Sequence, residues 1–210
     1  MNVFKFDYNS FDDLVSNTYV VADDDLNCVV VDPGKDSDKL IEFIKKHELK
    51  PVAILVTHGH IDHIRGVDRL AKEFNVCSYI HHLDEEMLKN PKHNLSDQLH
   101  ESRTIESDVK TVKDKEELNL FKEKIIVIHT PFHTIGSVCY YLPERKMLFS
   151  GDTLFKESIG RDDLPCADSS KTIESLRKIK KLPADVTIYP GHGPNTTLES
   201  ELLNNHFLIN

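Results

Sequence analysis

The 210-residue sequence predicts an α/β fold built as one domain over residues 1–210. Short apolar segments bounded by turn residues alternate with segments of helical periodicity, which is the pattern of an α/β protein. The alternation occurs twice, once in each half of the chain. The length suits a single domain with a large buried core. These observations favour two strand-and-helix halves packed against each other.

The first half of the chain is predicted to contain strands and two amphipathic helices. Strands are expected at residues 3–6, 18–22, 27–32, 52–57 and 76–80, and helices at 37–47 and 63–74. Leu40, Ile41 and Ile44 recur at helical spacing along the first helix. Pro51 ends that helix. The acidic run Asp23-Asp24-Asp25 is typical of a hairpin turn between two strands.

The second half repeats the alternation after a polar stretch. Strands are expected at residues 118–121, 124–129, 137–142, 146–150 and 186–190, and helices at 169–181 and 196–204. Residues 89–115 are polar and charged with weak periodicity, which predicts a long excursion between the halves. Lys110, Lys113 and Lys115 alternate there with acids, a pattern typical of a solvated surface.

The segment His58-Gly59-His60-Ile61-Asp62-His63 places three imidazoles and a carboxylate within six residues. It follows the apolar run 52–56 and precedes a helical segment, so a rigid strand end holds it. Histidine and carboxylate ligands suit zinc, iron or manganese. A histidine-rich surface loop is the alternative interpretation. The placement between a strand and a helix favours a metal site.

Three further residues of ligand type follow predicted strands: His133, Asp152 and His192. Each is flanked by glycine or proline at a strand end, where a sheet holds a side chain at a fixed angle. The four residues of the 58–63 loop already exceed what one tetrahedral ion with an open position needs. The sequence therefore predicts two metal ions that share these loops.

Segments 58–63, 130–134, 150–155 and 190–193 together resemble the metallo-beta-lactamase fold superfamily, and within it the glyoxalase II-like hydrolases. Segments 31–34 and 158–165 agree with the same family. The resemblance covers nearly the whole chain. It implies a four-layer αββα sandwich, in which two mixed sheets are flanked by helices, and it places the 89–115 excursion at the border of the active site.

The resemblance also implies roles for the ligand-type residues. His58, His60 and His133 would bind one metal, Asp62, His63 and His192 the other, and Asp152 would bridge the two. Asp62 and Asp152 are the expected catalytic carboxylates. Zinc is the first expectation for the two divalent ions, with iron and manganese as alternatives. Asp32, at a strand end before Pro33-Gly34, is expected either to support a ligating histidine or to form a turn.

A hydroxide bridging two ions would be available at neutral pH, because even one zinc lowers the pKa of bound water to about 7. The residues support hydrolysis of esters, amides or thioesters. The resemblance favours thioesters such as hydroxyacylglutathione.

Two positions depart from the family pattern, and two residues are candidates for substrate contact. Phe132 and Arg65 stand where glycine is frequent, and Phe132 is expected to alter either the pocket wall or the backbone angle of its loop. Arg161 is expected either to meet a substrate carboxylate or to form a buried salt bridge. After Gly193 only 17 residues remain, so we expect the helical domain of typical glyoxalase II to be missing and the site to be open.

Three alternatives to a binuclear hydrolase share parts of this pattern. A persulfide dioxygenase of the same superfamily, which uses one iron, shares most of the metal motif. A metallo-ribonuclease does not suit the acidic balance or the length. A non-catalytic zinc protein would not need seven ligand-type residues.

The net charge of −9 argues against nucleic acid and anionic membrane surfaces as partners. No secretory signal or apolar run of membrane-spanning length is visible, so a cytoplasmic protein acting on a small molecule is expected. The four cysteines form no CxxC pair and predict free thiols. No pattern specifies an oligomeric state.

Overall fold

The computed structural model describes residues 1–7 and 15–209. The chain forms strands β1 Asn2–Phe6, β2 Thr18–Ala22, β3 Asn27–Val31, β4 Lys50–Leu55, β5 Ser78–His81, β6 Val109–Val112, β7 Glu117–Leu118, β8 Ile125–His129, β9 Val138–Leu142, β10 Met147–Gly151, β11 Thr187–Pro190 and β12 Thr196–Thr197. The helices are α1 Asp38–Lys46, α2 Ile61–Ile64, α3 Val67–Phe74, α4 Thr172–Ile179, α5 Leu198–Asn204 and α6 His206–Ile209, and short 3-10 helices lie at Glu85–Lys89, Pro143–Arg145 and Ser169–Lys171.

Two mixed sheets of six strands carry the fold. The first has the order β1-β2-β3-β4-β5-β6, and the second has the order β12-β11-β10-β9-β8-β7. Strands β3 to β6 pair in parallel and β1 to β3 antiparallel. In the second sheet only β10 and β11 pair in parallel. The carboxyl ends of β4 and β5 therefore meet at one edge of the first sheet.

The buried apolar side chains form three clusters that correspond to the interfaces of a four-layer sandwich. Successive residues of β2 alternate between two of them, because neighbouring side chains on a strand point to opposite faces. Val20 packs with Leu40 and Ile44 of α1, whereas Tyr19 and Val21 pack with residues of the second sheet. The third cluster joins the second sheet to α4, α5 and α6. The predicted αββα sandwich is confirmed.

Most predicted elements are present, and the exceptions have local causes. The predicted helix over 63–74 is interrupted at Gly66, where a Cβ atom would lie 2.4 Å from the carbonyl oxygen of Lys35. The expected helix over 196–204 begins only at Leu198, because Thr196 and Thr197 pair with β11. The hairpin turn at Asp23 is confirmed, since its carboxylate accepts hydrogen bonds from the backbone N–H groups of Asp25 and Asn27.

Residues 89–115, expected as a long excursion between the halves, include a strand that the sequence did not predict: β6, Val109–Val112, pairs with β5. β6 is an edge strand with one neighbour, and its Lys110 and Thr111 are exposed. Charged side chains are common on edge strands, where they discourage further pairing. They also obscure the apolar alternation by which a strand is recognised.

Candidate metal centre

The loop between β4 and α2 brings its imidazoles together below the surface. His58 and His60 precede the first turn of α2, and His63 lies within it. All three side chains are buried. The ring centroid of His58 lies 4.8 Å from that of His60 and 4.1 Å from that of His63. Three buried imidazoles in mutual contact are typical of a metal-binding cluster.

His133, in the loop after β8, completes a first group with His58 and His60. One nitrogen of each ring lies within 4.8 Å of the others. His60 Nδ1 and His133 Nε2 are 3.0 Å apart, close to the separation of about 3.3 Å that two nitrogens on a tetrahedral zinc would have.

A second group consists of Asp62, His63 and His192, whose ligand-type atoms also lie within 4.8 Å of one another. His192, after β11, places Nε2 at 3.2 Å from Asp62 Oδ2. His63 Nε2 lies 3.6 Å from the same oxygen.

The Asp152 carboxylate lies between the two groups. Its Oδ1 is 3.2 Å from His63 Nε2, and its Oδ2 is 3.5 Å from His133 Nε2 and 3.6 Å from His192 Nε2. The chain reaches this position through Gly151, whose φ of +49° is in the left-handed region. A Cβ atom on Gly151 would lie 2.3 Å from Thr57 Oγ1. Glycine at this strand end is therefore required on two grounds.

Several ligand-type atoms of this cluster have no hydrogen bond to any described residue. They are buried, and they are His58 Nε2, His60 Nε2, His63 Nε2 and Asp152 Oδ1. His63 Nε2 and Asp152 Oδ1 lie 3.2 Å apart, but their orientation does not make a hydrogen bond. Unsatisfied buried polar atoms are costly and rare in native proteins. A His and Asp cluster of this kind fits divalent metal ions, which would satisfy His58 Nε2, His63 Nε2 and Asp152 Oδ1. His60 instead faces His133 with its Nδ1.

The electrostatics suit metal binding. Burial and the neighbouring His133 lower the pKa of His60 to about 3, and burial lowers the pKa of His58 well below its usual value. Both rings are therefore neutral at physiological pH, as a ligating imidazole must be. Burial would lower the pKa of His63 as well, but the carboxylates of Asp152, Asp62 and Asp32 raise it.

Asp32 lies behind His63. Its Oδ2 is 2.9 Å from His63 Nδ1 and accepts a hydrogen bond from Thr57 Oγ1 at 2.7 Å, while its Oδ1 accepts from the backbone N–H of Thr57 at 2.8 Å. A carboxylate in this position holds the proton on Nδ1 and directs Nε2 toward the cluster.

Asp84 is a buried carboxylate that the sequence analysis missed. Its Oδ2 accepts hydrogen bonds from the backbone N–H of Gly59 at 3.1 Å and from Thr134 Oγ1 at 2.6 Å. Its Oδ1 accepts from the backbone N–H of Gly136 at 2.7 Å. It thereby joins the loop of His58 and His60 to the loop of His133. The available signal was its position just after β5, at the same sheet edge as the 58–63 loop.

The structure places the two candidate substrate residues differently. The side chain of Phe132 is fully buried and does not line the cavity, so it does not itself form the pocket wall, and its expected effect on the backbone angle of the loop stays a prediction. Arg161 does line the cavity, but its salt bridge is exposed rather than buried, with Nε 2.8 Å from Asp163 Oδ1. The backbone carbonyl of Arg161 lies 2.7 Å from His133 Nδ1 and orients that ring.

Residues 11–192 match the metallo-beta-lactamase superfamily. The chain belongs to this superfamily. It is 34% identical over 198 residues to a probable metallo-hydrolase, YqgX, of Bacillus subtilis, with 92% of each chain covered. It is 32% identical over 195 residues to a hydroxyacylglutathione hydrolase, GloC, of Haemophilus influenzae, covering 91% of this chain and 92% of that one. The crystal structure of the B3 metallo-beta-lactamase BLEG-1 superposes with a TM-score of 0.92 at 35% identity over the full length of both chains.

A cavity of about 380 Å³ opens in front of the cluster of ligand-type residues. Its lining includes His60, Asp62, His133, Asp152 and His192. The cavity therefore gives a small molecule access to both ligand groups. Among the described residues, no helix has the length and apolar character required to cross a membrane.

Proposed function

We propose that this protein is a binuclear metal-dependent hydrolase of thioesters, with hydroxyacylglutathione as the reference substrate. The position of Asp152 carries the proposal, because one of its oxygens faces His63 while the other faces both His133 and His192. A carboxylate placed in this way suits a bridge between two ions. The relatives named as a metallo-hydrolase and as a hydroxyacylglutathione hydrolase support the reaction class over the dioxygenase alternative.

The residues divide into two ligand sets in this proposal. His58, His60 and His133 would hold one ion, Asp62, His63 and His192 would hold the other, and Asp152 lies where it would serve both sets. When bound, two divalent ions would polarise the substrate carbonyl as Lewis acids and would lower the pKa of a bound water to about 7.

The chain's own residues prepare the site for this chemistry. Asp32 keeps the proton of His63 on Nδ1, so Nε2 is free to bind. The carbonyl of Arg161 fixes His133 in the same way. Asp62 lines the cavity, and its Oδ2 lies 3.2 Å from His192 Nε2, so this carboxylate faces the side from which a substrate enters. Pre-set ligands of this kind reduce the reorganisation needed in the transition state.

The decisive experiment assays metal-loaded protein against three compounds in parallel. The first is S-lactoylglutathione, for which release of the thiol is measured. The second is a β-lactam, chosen because the structure of BLEG-1 is similar. The third is glutathione persulfide, for which oxygen uptake is measured. We expect thiol release that dominates the other two activities and is lost on chelation. Oxygen consumption without thiol release would assign a dioxygenase, and β-lactam opening as the main activity would assign a lactamase.

A further inference from the structure

The cavity in front of the ligand cluster has apolar walls. Ile61 of α2 contributes to them, and the remaining apolar residues come from two loop segments. These residues are Leu95, Leu99, Phe155, Ile159 and Leu164. Most of these loop side chains are half-buried, and Leu99 is 38% exposed. When an apolar group of the substrate covers an apolar surface and removes it from water, the free energy of the complex falls.

The same cavity offers little to a charged group. Outside the ligand cluster, Gln98 and Arg161 supply the polar side chains of its described lining. The Arg161 guanidinium is already engaged by Asp163, through Nε to Oδ1 at 2.8 Å and Nη2 to Oδ2 at 3.0 Å. Glutathione carries two carboxylates and one ammonium group. Outside the ligand cluster, the described lining offers such a carrier no cationic side chain other than Arg161.

We propose that the cavity selects thioesters by an apolar acyl chain, which lies against Leu95, Leu99 and Phe155. The inference rests on the proposed thioesterase function and names the part of the substrate that the site recognises. In the reaction, the oxygen of water forms a bond to the acyl carbon, the carbon–sulfur bond breaks, and the electron pair leaves with sulfur. The products are a thiol, a carboxylate and one proton.

The chain length of the acyl group should therefore control the rate. Burial of each methylene stabilises the bound state enough to raise kcat/KM about fourfold, until the cavity is filled. Binding energy gained at a distance from the carbonyl is available to the transition state as well as to the ground state. The thiol carrier, in contrast, should have a small effect.

The test measures kcat/KM of the metal-loaded protein for the acetyl, butanoyl, hexanoyl and octanoyl thioesters of N-acetylcysteamine, with S-lactoylglutathione as comparison. We expect a steep rise from acetyl to hexanoyl, and a hexanoyl value above that of S-lactoylglutathione. The variant Leu99→Asp should lower kcat/KM for the hexanoyl thioester at least tenfold more than for the acetyl thioester. Leu203→Asp is the matched control, because Leu203 is 70% exposed on α5 and does not line the cavity.

The outcomes separate the two proposals. Thioester hydrolysis with no dependence on acyl length, or with an equal loss for both substrates in Leu99→Asp, would overturn the acyl inference alone. No hydrolysis of any thioester by fully loaded protein would overturn the thioesterase function and the acyl inference together. A preference for S-lactoylglutathione over every N-acetylcysteamine thioester would also reject the acyl inference and assign recognition to the glutathione moiety.

Discussion

The Asp84 carboxylate accepts a hydrogen bond from the backbone N–H of Gly59 at 3.1 Å. The same oxygen accepts a second hydrogen bond from Thr134 Oγ1 at 2.6 Å. Gly59 stands between His58 and His60, and Thr134 follows His133 directly. One buried carboxylate therefore sets the separation of the two loops that supply the first ligand group.

We predict that Asp84→Asn weakens binding of the ion assigned to His58, His60 and His133. The asparagine has one acceptor oxygen, and its amide group would face N–H and O–H donors that now bind a carboxylate. Loss of a residue that orients ligands costs about 10- to 100-fold in metal affinity. Competition with a chromophoric chelator measures the two dissociation constants separately.

The matched control is Asp185→Asn, because this change removes the same charge from an exposed side chain. It should leave both dissociation constants unchanged. Wild-type affinities in Asp84→Asn would show that the hydrogen bonds of Asp84 stabilise the fold without positioning the ligands.

Asp84 should also give metal-free protein a distinct pH dependence of stability. Burial raises the pKa of its carboxyl from the ordinary 3.8 to about 6, although hydrogen bonds from Thr134, Gly59 and Gly136 oppose the shift. The folded state then holds the proton more tightly than the unfolded state, so this contribution is full below pH 3.8 and is lost as pH rises through 6. Its size is at most about 3 kcal/mol.

The measurement compares urea unfolding of wild type and Asp84→Asn from pH 4.5 to 7.5. The stability of wild type relative to the variant should fall over this interval, because the other titrating groups are common to both proteins. A difference that is flat or rises with pH would contradict the raised pKa.

Asp152→Asn should lower turnover by about 100-fold or more, because loss of the shared charge weakens both ligand groups. The free energy of unfolding of the metal-loaded variant should change far less than the activation free energy, because the asparagine amide fills the same space as the carboxylate. Steady-state assays with metal content measured on the same sample test this. Near-normal turnover at full metal content would show that Asp152 serves only the turn after β10.

Metal analysis at saturation should find about two ions per chain, if the proposed division of the ligand-type residues into two sets with Asp152 between them is correct. Removal of the ions should lower the free energy of unfolding, because ions that bind only the folded state stabilise it by about 4 kcal/mol at 1,000 times Kd. A firm value of one ion per chain would favour the mononuclear-iron alternative.

The sequence alone predicted an α/β protein and singled out the seven ligand-type residues, because these signals are local, whereas the four-layer sandwich was implied by the resemblance to the superfamily. His58, His60, Asp62 and His63 occur in one loop, and the other three each follow a short apolar strand with glycine or proline beside it. Short apolar runs bounded by turn residues likewise marked most of the strands.

Only the tertiary structure decided which residues support and surround that cluster. Asp84 lies 25 residues from Gly59 and 50 from Thr134, so no local pattern links them. The edge strand β6 was hidden by its exposed lysine, and the apolar cavity wall joins loop segments far apart in the chain, including Leu99 and Phe155. Such relationships arise when the two sheets pack, because packing brings together backbone donors, carboxylates and apolar side chains that are distant in sequence.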